Sequence, residues 1–353
     1  MSVGAVYSRP AVVSAVTPPP EQAGVASGVS IVIPVYRSER TLPELHRLLS
    51  ATMAAQACDY EIIFIEDGGG DRSWSFIERL AVADHHVRGI RLSRNYGQHN
   101  ALLCGIREAR FDVTLTMDDD LQQPVSEIAP MLAALRPEYD VVYGAPQSGQ
   151  HGILRNIATR LTKGALASVV GAEMAHNVSA FRAFRTRLRD GFAAYRSPTV
   201  SIDVLLSWTA TRFTAIKVRH ATRSTGKSGY TVGMLIRHAI DLMTGFSILP
   251  LQIASVVGFT FVLLGVSVLL FVLINYAIRG SEVPGFAFLA SSIAIFSGAQ
   301  LFALGIIGEY LARVHFRSMD RPAYLVGERV GSTASDATTA QAERSRLGAE
   351  TVV

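Results

Sequence analysis

The chain has 353 residues, enough for one large or two modest domains, with 49% hydrophobic residues and a formal net charge of only +4. So weak a positive bias, with no basic repeat interleaved with aromatics, argues against nucleic acid as a partner. Cys58 and Cys104 fall in expected helices without C-x-x-C or histidine partner spacing, and read as buried thiols rather than a disulfide or a zinc site.

Residues 1–28 lack a basic segment ahead of an unbroken apolar run, and their Pro, Ser and Ala content predicts a disordered lead rather than a signal peptide. From Val29 the pattern alternates. VSIVIPV, EIIFI, VRGIRL, DVTLTM and YDVVYG read as strands, and TLPELHRLLSATMAAQ, SWSFIERLAV, QHNALLCGIREA and SEIAPMLAAL as the helices between them. Apolar strands alternating with helices predict an α/β domain, 29–229, on a mostly parallel sheet covered on both faces.

Two segments are amphipathic, 151–171 within that domain and 230–248 after it, each with apolar residues on one helical face and cations elsewhere. Core helices with a solvated face fit that pattern nearly as well, but nearness to the apolar segments favours helices lying among membrane lipids at the headgroup plane. Residues 249–278 and 284–314 are two long, almost uncharged segments, each able to cross a hydrocarbon core of about 30 Å. The short link between them makes a hairpin with both flanks on one side. Arg219, Arg223, Lys227 and Arg237 precede it and Arg313, Arg317 and Arg321 follow, against Arg279 alone in the link, which predicts a multi-pass membrane protein with its flanks and both termini cytoplasmic. Buried core helices are the weaker alternative. RPAYLV (321–326) reads as a short strand within a C-terminal segment 315–330, and 331–353 as a low-complexity tail.

In open parallel sheets, ligands gather at the carboxyl ends of strands. Three polar clusters fall there: Pro34 to Glu39, EDGGGD (66–71) and MDDDLQ (117–122). Asp118 and Asp120 alternate along a strand end, so they can point the same way and share one cation. Hard carboxylate oxygens suit Mg²⁺ or Mn²⁺, which would bridge them to a nucleotide diphosphate.

Together VSIVIPVYRSE, IIFIEDGGGD, RLSRNYGQHNA and MDDDLQQP, followed by an interfacial region and a two-helix hairpin, resemble the membrane-anchored polyprenyl-phosphate glycosyltransferases of glycosyltransferase family 2 over 29 to about 326. The resemblance implies a GT-A, Rossmann-like catalytic domain and transfer of one sugar from a nucleotide-sugar donor to a polyprenyl phosphate of the undecaprenyl or dolichyl type. It implies that Pro34, Tyr36 and Glu39 line the nucleotide pocket, that Asp67 contacts the base, and that Asp118, Asp120 and Gln122 form the catalytic metal and diphosphate site. Packing for Tyr36, helix capping near Thr41 for Glu39 and a turn role for Asp67 are the plainer readings beside these. Arg182, Arg223, Lys227 and Ser228 are the acceptor-phosphate candidates, each also open to a solvated or headgroup-binding role. The family's C-terminal tails imply a homo-oligomer, a tetramer being favoured.

The chain departs from that family at Asp119, where relatives carry a small residue, and at GKSGY, where they more often read G-x-S-K-Y. His176 and Asn177 stand where an acidic residue is frequent. An acceptor phosphate is already largely a dianion at neutral pH, with a second pKa of about 6, so direct displacement with inversion needs no side-chain base. Transfer to a polysaccharide acceptor, a nucleotidyltransferase and a non-catalytic membrane scaffold are the competing readings. The absence of a Q-x-x-R-W stretch after the D-x-D counts against a processive synthase.

Overall fold

A computed structural model describes residues 26–56, 58–146, 177–219, 249–279, 285–319 and 321–331. The first half follows the expected alternation: β1 (Ala26–Val35), α1 (Leu42–Ala54), β2 (Asp59–Glu66), α2 (Ser73–Ala83), β3 (Val87–Leu92), α3 (Gln98–Glu108), β4 (Phe111–Thr116), α4 (Ile128–Ala134) and β5 (Val141–Pro146). Then come β6 (Arg182–Arg185), a 3₁₀ segment Thr186–Phe192, α5 (Ile202–Thr209), β7 (Phe213–Val218), the long helices α6 (Leu249–Arg279) and α7 (Phe286–Ser318), and β8 (Val326–Val330).

The eight strands form one sheet in the order β7-β5-β6-β4-β1-β2-β3-β8. Most pairings are parallel, but β6 runs antiparallel to both β4 and β5, and β8 antiparallel to β3. β1 and β2 are fully buried along their apolar length because helices cover both faces: α1, α2 and α4 close one side over Ile31, Ile33, Ile62 and Phe64, while α3 and α5 close the other over Val32, Ile63 and Ile65. Gly105 lets α3 settle on the sheet, since a Cβ there would collide with Val32 Cγ1. Cys104 is buried in α3, whereas Cys58 lies in the turn before β2 rather than in a helix. Pro34 falls in β1 beyond Val32↔Thr116, the last β1–β4 partners, so its missing N–H removes no bond from that ladder.

The helices α6 and α7 have 31 and 33 residues, about 46 and 50 Å at 1.5 Å per residue, longer than a hydrocarbon core. Their apolar windows are wholly unburied, and Phe259, Leu263, Phe271, Leu301 and Phe302 face outward. An apolar surface of that extent is stable only in lipid, and the chain is a membrane protein. Phe261 meets Phe296 edge-on between the two helices, beside Gly265. The amphipathic segments expected at 151–171 and 230–248 lie outside the described residues.

The expected strand 321–326 is displaced. Residues 321–325 run irregularly over α3, and the strand is Val326–Val330, paired antiparallel with β3.

Candidate active site

Four loops meet at the carboxyl ends of β1, β2, β3 and β4. The loop after β4 is held from both sides. Asp118 Oδ1 accepts a hydrogen bond from Gln98 Nε2 at 2.6 Å, and Gln123 brackets the same residue, receiving its amide at 3.0 Å and donating to Oδ2 at 3.2 Å. Gln123 is 5% exposed, so its two bonds fix the start of the acidic run from below. Asp120 Oδ1 accepts from the Gln122 amide at 3.1 Å around Leu121, whose φ of +61° turns the chain back.

Asp119, the residue at odds with the resembling family, faces away from its neighbours. Its Oδ2 accepts from the Tyr36 amide at 3.1 Å and from Ser38 Oγ, tying the loop after β4 to the loop after β1. Burial lifts its carboxyl up to about 6, against the downward pull of the Ser38 and Tyr36 bonds and with a further lift from the charge of Asp120. The loop after β1 is itself tense: Arg37 sits at φ +57° with its Nε on the Gly69 carbonyl at 3.1 Å.

Asp67 is 3% exposed, and both its oxygens are taken: Oδ1 by the Tyr96 amide at 2.7 Å and Oδ2 by the Gly97 amide at 2.8 Å. Burial raises its pKa most, the two amides lower it, and Glu66 adds a small lift. It serves as a clamp on the amino end of α3, a role the sequence did not disclose beside the expected base contact. Gly68 makes the clamp possible, because at φ +65° any Cβ would strike the backbone of Arg94 and Asn95. Glu39 also works between loops. Its Oε2 accepts the Arg72 amide at 3.1 Å and its amide donates to Asp71 Oδ2 at 3.2 Å, so it supports the start of α2 rather than capping α1. Tyr36, 45% exposed, leaves its ring open at the rim with the Arg37 guanidinium 5.2 Å from the ring centre.

Arg182, an acceptor-phosphate candidate by sequence, lies inside the domain. It is 2% exposed in β6, opposite Thr116, and its guanidinium pairs with Asp203 Oδ1 at 2.8 Å, the same oxygen that accepts from Tyr143 at 3.1 Å. A buried guanidinium needs such a carboxylate beside it. Arg223, Lys227 and Ser228 lie outside the described residues.

The structure therefore brings Pro34, Tyr36, Glu39, Asp67, Asp118, Asp120 and Gln122 to one rim, with distinct jobs. Gln98, Gln123, Ser38 and Asn100 lie within the motif stretches but carry no assigned role there; the position of Gln98 at the first residue of α3, facing the acidic loop, could have flagged it.

Two half-exposed aspartates, Asp118 held by the side-chain amides of Gln98 and Gln123 and Asp120 by the backbone amide of Gln122, sit on the carboxyl rim of a mostly parallel sheet and define a GT-A-like domain. The family description Glycosyl transferase family 2 matches residues 30–192. The undecaprenyl-phosphate 4-deoxy-4-formamido-L-arabinose transferase of Shewanella sediminis is 37% identical over 320 residues, covering 87% of this chain and 96% of that protein. Its namesake from Pseudomonas fluorescens is 34% identical over 301 residues, covering 84% and 88%. A more distant likeness in shape, with a TM-score of 0.47 and 16% identity over 62% of this chain and 77% of the other, links it to glucosyl-3-phosphoglycerate synthase from Mycobacterium tuberculosis with Mn²⁺, uridine diphosphate and phosphoglyceric acid. The chain belongs to glycosyltransferase family 2 and is a glycosyltransferase.

Proposed function

We propose that this enzyme transfers a sugar from a nucleotide-diphosphate sugar to a polyprenyl phosphate of the undecaprenyl type, at the cytoplasmic face of a membrane. The carrying observation is the union in one chain of an acidic GT-A rim, Asp118 and Asp120, with a two-helix apolar hairpin. Relatives named for undecaprenyl phosphate support the acceptor, and their named sugar, 4-deoxy-4-formamido-L-arabinose, heads the donors to be tried.

The donor set suits a hard divalent cation: carboxylate oxygens from Asp118 and Asp120, with the Gln122 amide oxygen in reach by sequence position. Bound there, Mg²⁺ or Mn²⁺ would supply electrostatic stabilisation for the charge that develops on the leaving nucleoside diphosphate. Gln98 and Gln123 keep the Asp118 carboxylate oriented toward the rim, Asp119 locks the acidic loop to the Tyr36 loop, and Tyr36 offers an open ring against which a base can pack. The acceptor phosphate is its own nucleophile, so the chain has to bring it in line and supply cations, roles left to Arg223, Lys227 and Ser228; inversion at the anomeric carbon follows. Assembly as a tetramer belongs to the same reading.

Incubating purified protein with undecaprenyl phosphate and a panel of nucleotide sugars tests it. Release of nucleoside diphosphate that requires both the lipid phosphate and a divalent cation supports the reading; release with a polysaccharide and none with the lipid supports the other acceptor class.

A further inference from the structure

At the opposite end of the sheet from the acidic rim, three histidines surround one carboxylate. Asp84 ends α2, and His85 and His86 form the turn into β3, beside Tyr60 at the start of β2. The side-chain ligand atoms of Asp84, His85 and His86 all lie within 4.8 Å of one another. Asp84 Oδ1 takes both the amide and Nδ1 of His86 at 2.9 Å, while its Oδ2 meets Nε2 of His46, from α1, at 2.9 Å, with Ser50 Oγ 3.2 Å from that nitrogen.

We propose that Asp84, His85 and His86 form a binding site for a borderline divalent cation, zinc above all, separate from the rim site. Imidazole nitrogens with one carboxylate are ligands for Zn²⁺ rather than for Mg²⁺ or Mn²⁺, so the two ends of the sheet select different ions. Two ligands on a tetrahedral zinc sit about 3.3 Å apart for bonds of about 2.0 Å, so closure asks only for side-chain rotation. His85 is exposed with its ring 3.9 Å from that of His86, and His86 is already set by stacking on Tyr60, with ring centroids 4.1 Å apart and planes 2° from parallel. His46 would then stay on the second carboxylate oxygen as an orienting partner, and a water completes the shell. Because His46 belongs to α1 and the ligands to the α2–β3 turn, the bound ion would fix the carboxylate through which α1 already hydrogen-bonds the end of α2.

The test uses full-length protein in detergent, produced without a polyhistidine tag, titrated with Zn²⁺ alone in competition with a chromophoric chelator. An Asp118→Asn/Asp120→Asn variant removes the rim as a second site. One zinc equivalent should bind to that variant and raise its Tm; His85→Ala should abolish both effects, and His46→Gln should weaken binding about tenfold to a hundredfold. His85 is exposed, so its replacement leaves the fold intact, which the unliganded Tm verifies. Zinc stoichiometry and Tm response unchanged in His85→Ala, or no zinc bound by the rim variant, would overturn the proposal. Neither readout involves sugar transfer, so its failure is distinct from failure of the glycosyltransferase reading.

Discussion

Asn100 Nδ2 donates a 2.6 Å hydrogen bond to the carbonyl of Ala323, a residue just beyond the second membrane helix. The same nitrogen donates to the Pro198 carbonyl at 3.0 Å, and Asn100 stands two residues along α3 from Gln98, which holds Asp118. Nearby, the Ser93 amide meets the Leu325 carbonyl at 2.9 Å and the Arg107 guanidinium lies 5.7 Å from the Tyr324 ring centre. The segment leaving the membrane is thus docked on the helix that positions the acidic rim.

Removing that donor leaves the buried Ala323 carbonyl unmet and the Pro198 carbonyl without its protein partner. Asn100→Ala should lower unfolding free energy by about 1–3 kcal/mol, read as a fall in Tm, and Asn100→Asp should be worse because a carboxylate would face two carbonyl oxygens. Equal stability of Asn100→Asp and wild type would contradict the contact.

The amides on Asp118 make a graded prediction. Gln98→Ala removes one bond from an exposed side chain, while Gln123→Ala removes two from a buried one. Orienting partners of ligating carboxylates are worth about tenfold to a hundredfold in metal affinity, so the Mn²⁺ concentration for half-maximal activity should rise in both, and more in Gln123→Ala. Unshifted metal dependence in both would remove these residues from the site.

Arg182 separates two roles cleanly. As a buried partner of Asp203, its loss strands a carboxylate, and Arg182→Ala should cost about 3–5 kcal/mol, with Arg182→Met/Asp203→Leu recovering most of it. A folded Arg182→Ala enzyme with normal Tm and only a raised KM for the lipid would restore the acceptor role instead.

Asp84 gives a pH dependence of stability. Its folded pKa of about 2 lies below an unfolded value of about 3.9, so its contribution is present above pH about 4 and is lost as pH falls toward 2. That window corresponds to about 2 kcal/mol, measured as the stability gap between wild type and Asp84→Asn, with chelator present, closing as pH drops from 7 to 2.

What the sequence disclosed follows from which forces act locally. β1 to β5 and their helices are legible because each strand is a continuous apolar run bounded by turn residues, and α6 and α7 because lipid imposes length and apolarity. β6 is only RAFR, and β8 is VGERV, a polar edge strand whose existence depends on β3 beside it. The rim clusters were legible by topology, but roles within them were not. Asp67 reads as a base contact and its clamp on α3 shows only in the fold, Arg182 reads as an acceptor-phosphate cation and lies inside, and Gln98 and Asn100 acquire meaning only when α3 is placed between the acidic loop and the chain leaving the membrane.

The most direct test is mass spectrometry of the lipid product. Wild-type protein with undecaprenyl phosphate, a divalent cation and the nucleotide-linked sugar should yield undecaprenyl phosphate heavier by one sugar residue, absent from Asp120→Ala protein of unchanged Tm. Unmodified lipid with every donor tried, from protein that is folded and binds nucleotide sugar, would contradict the account.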